Sequence, residues 1–227
     1  MMLDEYNLDF ISVVWFLVAW VGYACFARAR ARHVRCLLNM QHEYMLRWMV
    51  SLINRENRIS DATLFAIMER NVTFFASTSM LILVGLISSL VSLDDISIVL
   101  GRVSFLKVYG LGLLSIKVLL LVIIYIYAFF TFTWSMRQYN VVIMMTGGAP
   151  LFGESESKRM DYAQNAGNVL SLAANSFNYG LRAYYFSLAT LAWFIHPVMF
   201  MFSTIWVVLV LYRREFYSKT LQAMSRL

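Results

Sequence analysis

The chain is poor in charge. Of 227 residues, 14% are Asp, Glu, Lys or Arg, where a soluble domain has about 25%. That scarcity, beside 60% hydrophobic residues, excludes a disordered protein and argues against a soluble enzyme. Cysteine is also scarce. Cys25 and Cys36 have no CxxC spacing, and His33 has no further partner to complete a metal site. Neither a metal nor a cofactor is expected. No phosphate loop, zinc finger or aromatic–basic RNA motif occurs. The excess of 19 Lys+Arg over 13 Asp+Glu therefore does not read as nucleic-acid binding. The first residues, Met1 to Glu5, are acidic where a secretory leader would be basic, so the first apolar run is expected to be a retained anchor. No β alternation and no internal repeat competes with helix.

Long apolar runs are what the chain does have. Residues 10–27 are uncharged and just long enough for about 30 Å of hydrocarbon. Residues 72–93 and 118–136 repeat the pattern, and a fourth run covers 183–212. Two stretches between them are amphipathic: 28–70, with four arginines at its start, and 161–182. Residues 96–116 read as a short interfacial segment. The predicted fold is an all-α integral membrane protein, a single four-span helical bundle with amphipathic cytosolic helices. Pro197 should kink the last span, leaving the Trp193 carbonyl in need of another partner.

Lys and Arg set the orientation. The two long connectors carry twelve and the remaining segments seven. That predicts an N-terminus outside a bacterial inner membrane and both connectors in the cytosol. The basic tail, with Arg213 and Arg214, disagrees. A hairpin broken at His196-Pro197 would remove the conflict, but each half would reach only part way across, so four full spans are expected.

Several strings carry a resemblance: Arg55 to Asp61 (RENRISD), Asn71 to Ser79 (NVTFFASTS), Phe177 to Arg182 (FNYGLR), Trp193 to Pro197 (WFIHP) and Leu211 to Phe216 (LYRREF). Over residues 45–220 the chain resembles the bacterial membrane family named as domain of unknown function 599. The resemblance implies a polytopic inner-membrane protein and brings no activity, cofactor or catalytic residue.

Polar groups within the spans need a reason, because hydrocarbon makes them expensive. His196 reads as a satisfied structural histidine, bonding a backbone group freed by Pro197, or as a proton or ligand group. Lys117 reads as a side chain snorkelling to the outer surface. Thr73, Ser77 and Thr78 read as helix-packing hydroxyls or as the wall of a polar path. Asn168, Asn175, Tyr179 and Arg182 fall on one helical stripe, and these asparagines, Asn178 and Arg182 are either bonded to a neighbouring helix or line a wet vestibule. Arg55, Arg58, Asp61 and Arg70 suit a salt-bridged face, an anionic headgroup or a partner. No histidine or lysine is placed in sequence to activate a serine, so an enzyme is not expected. The leading expectation is an oligomeric channel- or transport-like protein for ions or small solutes, in contact with membrane lipids. The alternative is an accessory or scaffold subunit of a larger membrane complex.

Overall fold

A peptide group in hydrocarbon finds no water to bond, so a chain crossing lipid must satisfy its own backbone. The described residues of this chain do so with helices. The computed structural model describes residues 2–93, 110–150 and 153–225, with side chains from Asn7 onward. Helix makes up 89% of it, and no strand occurs among the described residues. The elements are α1 (Met2–Ala31), α2 (Leu37–Ile53), α3 (Ile59–Val91), α4 (Leu111–Gly147), α5 (Glu156–Leu191), a 3₁₀ turn (Ala192–Phe194), α6 (Pro197–Phe216) and α7 (Lys219–Met224). The candidate membrane spans lie in α1, α3, α4 and the segment from α6 onward, each long and apolar enough to cross a membrane. Most of the segment expected at 96–116 lies outside the described residues.

The last apolar run differs from the expectation. Residues 183–212 are not one kinked span but the end of α5, a break, and α6. Pro197 has no N–H to bond residue 193, and instead it opens a new helix at N1. His196 is extended there (φ −161°, ψ 141°), and its Nδ1 accepts the Val198 N–H at 3.2 Å. α6 then folds back along α5. Ser203 donates to the Ala189 carbonyl at 3.0 Å, and Phe16 of α1 touches both Phe186 and Phe200.

Cross-contacts fix which ends lie together. Asp9 near the start of α1 and Lys117 near the start of α4 both bond Trp193. At the other end Arg28 reaches Tyr179, and Arg30 lies over Phe216. So α1, α3, α4, α5 and α6 all run between a Trp193 end and an Arg182 end, with α5 central. α2 and α7 sit at the Arg182 end, where the Tyr44 hydroxyl donates to the Met224 carbonyl. α5 is absent from the apolar candidates because Asn175, Asn178 and Arg182 dilute it.

α4, with 37 residues, is about 55 Å long and overshoots the hydrocarbon. Its overhang, with those of α3 and α5, packs with α2 into a helical block. Trp48 stacks on Phe65, Tyr162 donates to the Met145 carbonyl, and Leu46 lies against Gly167. The membrane core is aromatic. Trp20 stacks on Phe186 at 5.4 Å, and Phe75, Phe132, Phe177 and Tyr184 form a second group. Gly180 makes room for that group: a Cβ there would lie 2.5 Å from the Phe132 ring.

Candidate functional site

On α5, positions 175, 178, 179 and 182 share one face at helical spacing. That face carries Asn175, Asn178, Tyr179 and Arg182, opposite α2 and between α1 and α6. Three clefts meet at Arg182. One of about 480 Å³ lies toward α1 and α2, with Arg28, Arg32, Asn39 and Asn175 in its wall. One of about 150 Å³ lies toward α2 and α6. A third, also about 150 Å³, lies between α1, α4 and α5, behind Trp20 and Tyr127. A further cleft of about 310 Å³ shares Gln41 and Asn178 with the second and runs into Met68, Phe75 and Tyr139.

Arg182 is 9% exposed, so its charge needs a partner. Glu215 supplies it at 3.3 Å through Oε2, while Oε1 accepts the Leu38 N–H at 3.2 Å. One carboxylate thus ties α6 to α5 and to the start of α2. The Arg182 guanidinium lies 5.5 Å from the ring centres of Tyr23 and Tyr179. Arg28 donates to the Tyr179 hydroxyl at 3.1 Å. The Tyr23 hydroxyl is buried and has no hydrogen-bond partner. Cys36, beside Glu215, has its thiol pushed up, mainly by desolvation and further by the carboxylate charge. Chemically this is a donor-rich pocket: guanidinium groups can grip an oxyanion in pairs. Toward the Trp193 end, Phe16, Trp20, Phe186 and Phe200 fill the bundle.

Of the residues singled out from sequence, Asn175, Asn178 and Arg182 come together here. Asn168 is exposed lower on α5. The α3 hydroxyls do not join them. Thr73 and Ser77 are exposed, and Thr78 bonds its own helix at the Phe74 carbonyl. The rotation of α3 turns Ser79 inward instead, where it meets the Tyr184 hydroxyl at 3.0 Å. Within one chain, Thr73 and Ser77 therefore share no wall with the asparagines. His196 lies at the far end as a helix cap. Arg55 and the Trp48 indole both bond Asp61 Oδ1 at 2.7 Å. Arg58 reaches the Ala149 and Pro150 carbonyls, and Arg70 is exposed. Those four do not form one anion site.

Lys117 does not snorkel. It is fully buried, and Nζ donates to the Trp193 carbonyl at 2.8 Å. It answers the need that Pro197 creates. Sequence reasoning passed over Asp9 and Glu215 and gave Tyr23 and Tyr179 no role in a site. Glu215, the one acid among the basic residues of the tail, was the available signal. A serine–histidine contact also went unseen: His42 Nδ1 lies 2.7 Å from Ser171 Oγ. Ser171 is 6% exposed and lines none of the four clefts, so the contact ties α2 to α5. No cluster of three or more His, Cys, Asp or Glu that could hold a metal occurs among the described residues.

Comparisons with curated proteins and with solved structures give no match. The family model described as "Protein of unknown function, DUF599" matches residues 11–220, α1 included, and the chain belongs to that family.

Proposed function

We propose that this multi-pass membrane protein is transport-like and receives an anionic solute in the clefts around Arg182. The observation that carries the reading is a nine-tenths-buried guanidinium at the junction of three clefts, with Arg28, Arg32 and Asn175 around the largest. A positively charged recess with low-dielectric walls concentrates anions. The aromatic layer above Arg182 closes it toward the Trp193 end, so passage requires that layer to part, as in a gated carrier rather than an open pore.

The cleft end faces the cytoplasm in this reading. The folded-back α6 brings Arg213, Arg214 and Lys219 to the same end as Arg28, Arg32, Arg35 and Arg137. The conflict between tail and connectors disappears once α5 makes a fifth pass. The bias of basic residues then places the N-terminus outside a bacterial inner membrane.

The test is flux into liposomes holding the purified protein, with phosphate, sulfate, citrate and chloride as trial anions. At least one is expected to move, with the rate falling tenfold or more in Arg182→Gln. No flux, together with no anion-dependent rise in melting temperature, overturns the reading.

A further inference from the structure

The cleft between α1, α4 and α5 lies at the bundle surface, within the apolar stretches of α1 and α4. α1 packs chiefly along α6, and α4 along α3 and α5. Across the mouth, the Trp20 and Tyr127 rings meet at 5.6 Å, and Tyr127 is 44% exposed on the membrane face. The cleft's wall also holds the buried Tyr23 and Arg182 and the exposed Arg28. Tyr23 is 6% exposed, and its hydroxyl has no partner. An idle hydroxyl at this depth costs free energy, which a ligand oxygen would recover. Glu215 is the acid at the junction, and both its oxygens already accept bonds, from Leu38 N–H and from Arg182. What remains for a ligand is a set of donors: the Tyr23 hydroxyl and the free N–H groups of two guanidiniums. A ligand that fits has an anionic oxygen-rich head and an apolar tail.

We propose that the site at Arg182 holds the anionic headgroup of a membrane amphiphile, phosphate-bearing or carboxylate, which enters sideways from the bilayer. Tyr23 donates its hydroxyl to a headgroup oxygen, Arg182 and Arg28 neutralise the charge, and the tail leaves past the Trp20–Tyr127 pair. This rests on the anion reading above and adds the source of the anion.

The probes are dioleoyl phosphatidylglycerol, dioleoyl phosphatidylcholine and inorganic phosphate, each added to the delipidated full chain in detergent and followed by native mass spectrometry. One phosphatidylglycerol is expected to bind tightly and phosphatidylcholine weakly. Tyr23→Phe should weaken phosphatidylglycerol about tenfold, the loss of one hydrogen bond to a charged group. Its melting temperature should hold or rise, since an unpaired buried hydroxyl is removed. Arg182→Gln should weaken binding further. Equal phosphatidylglycerol binding by wild type and Tyr23→Phe marks surface lipid and overturns the proposal. Phosphate bound without phosphatidylglycerol overturns the amphiphile and leaves the solute reading standing. Binding of neither phosphate nor phosphatidylglycerol, with no anion flux, overturns both.

Discussion

Lys117 of α4 donates its ammonium to the main-chain carbonyl of Trp193, 2.8 Å away, and no part of Lys117 is exposed. Trp193 is held from the other side too, because its indole N–H donates to Asp9 at 2.6 Å. Two charged residues on two helices thus grip one tryptophan at the turn between α5 and α6. Residue 193 is the one whose carbonyl Pro197 cannot bond, so the clamp satisfies a group that the turn itself orphans.

Removing the clamp should loosen the hairpin. Lys117→Met leaves the Trp193 carbonyl unpaired and is expected to cost about 1–3 kcal/mol. Asp9→Asn keeps an acceptor for the indole and should cost less. Thermal melts in detergent decide the order, and a Lys117→Met protein as stable as wild type contradicts the clamp.

The two glycines at close crossings on α5 should not tolerate a methyl group. A Cβ at Gly180 would meet the Phe132 ring at 2.5 Å, and one at Gly167 would meet Leu46 at 2.7 Å. Gly180→Ala should destabilise by about 1–3 kcal/mol through overpacking. Gly22→Ala is the control: no neighbour lies within 4 Å there, and helix propensity favours alanine.

Asp61 ties α2 to α3 as a hydrogen-bond acceptor more than as a charge. Its Oδ1 accepts from both Trp48 and Arg55, Oδ2 has no partner, and Arg55 is 48% exposed. Water screens a pair so exposed on one side. Asp61→Asn should therefore be milder than Asp61→Ala. The same melts, compared between the two variants, would show a purely ionic role if asparagine were as damaging as alanine.

His196 caps α6 through Nδ1. His196→Asn preserves a capping acceptor, and His196→Ala should cost about 1 kcal/mol. Transport by the asparagine variant, measured in the liposome assay, should match wild type. A total loss would assign the ring a chemical role instead.

Cys36 offers a pH test at the Arg182 end of the bundle. Burial holds its thiol above the ordinary value, so the reactive thiolate is scarce at neutral pH and appears only as pH rises past that of a free thiol. Maleimide labelling of the Cys25→Ala protein should be slow at pH 7 and accelerate at a higher pH than labelling of the urea-unfolded chain. Coincident pH curves would show that the folded chain does not shield Cys36.

The apolar helices were legible because a run without charge, near twenty residues long, has few other destinations than lipid. The stripe of Asn175, Tyr179 and Arg182 was legible from helical spacing, and the need of the Trp193 carbonyl from Pro197. The partners were not. Asp9 and Trp193 are 184 positions apart, and no local pattern couples them. Nor does hydropathy choose between a kink and a reversal at Pro197, since both leave residues 183–212 equally apolar. The facing of α3 was hidden for a similar reason: Ser77, Thr78 and Ser79 look alike in sequence, and only packing against Tyr184 selects Ser79.

The polarity of α5 bears on how the protein is made. An arginine costs up to about 2.5–3.5 kcal/mol on insertion when it lies at a span's centre, and α5 carries Arg182 with Asn175 and Asn178 beside it. Released by itself into the bilayer, it would have no reason to stay. Its neighbours α1, α3 and α4 are synthesised earlier and offer a ready sheath, and α6 follows within five residues of its end. If α5 makes the fifth pass, it is expected to insert together with α6, and truncation before Pro197 should leave α5 outside the membrane.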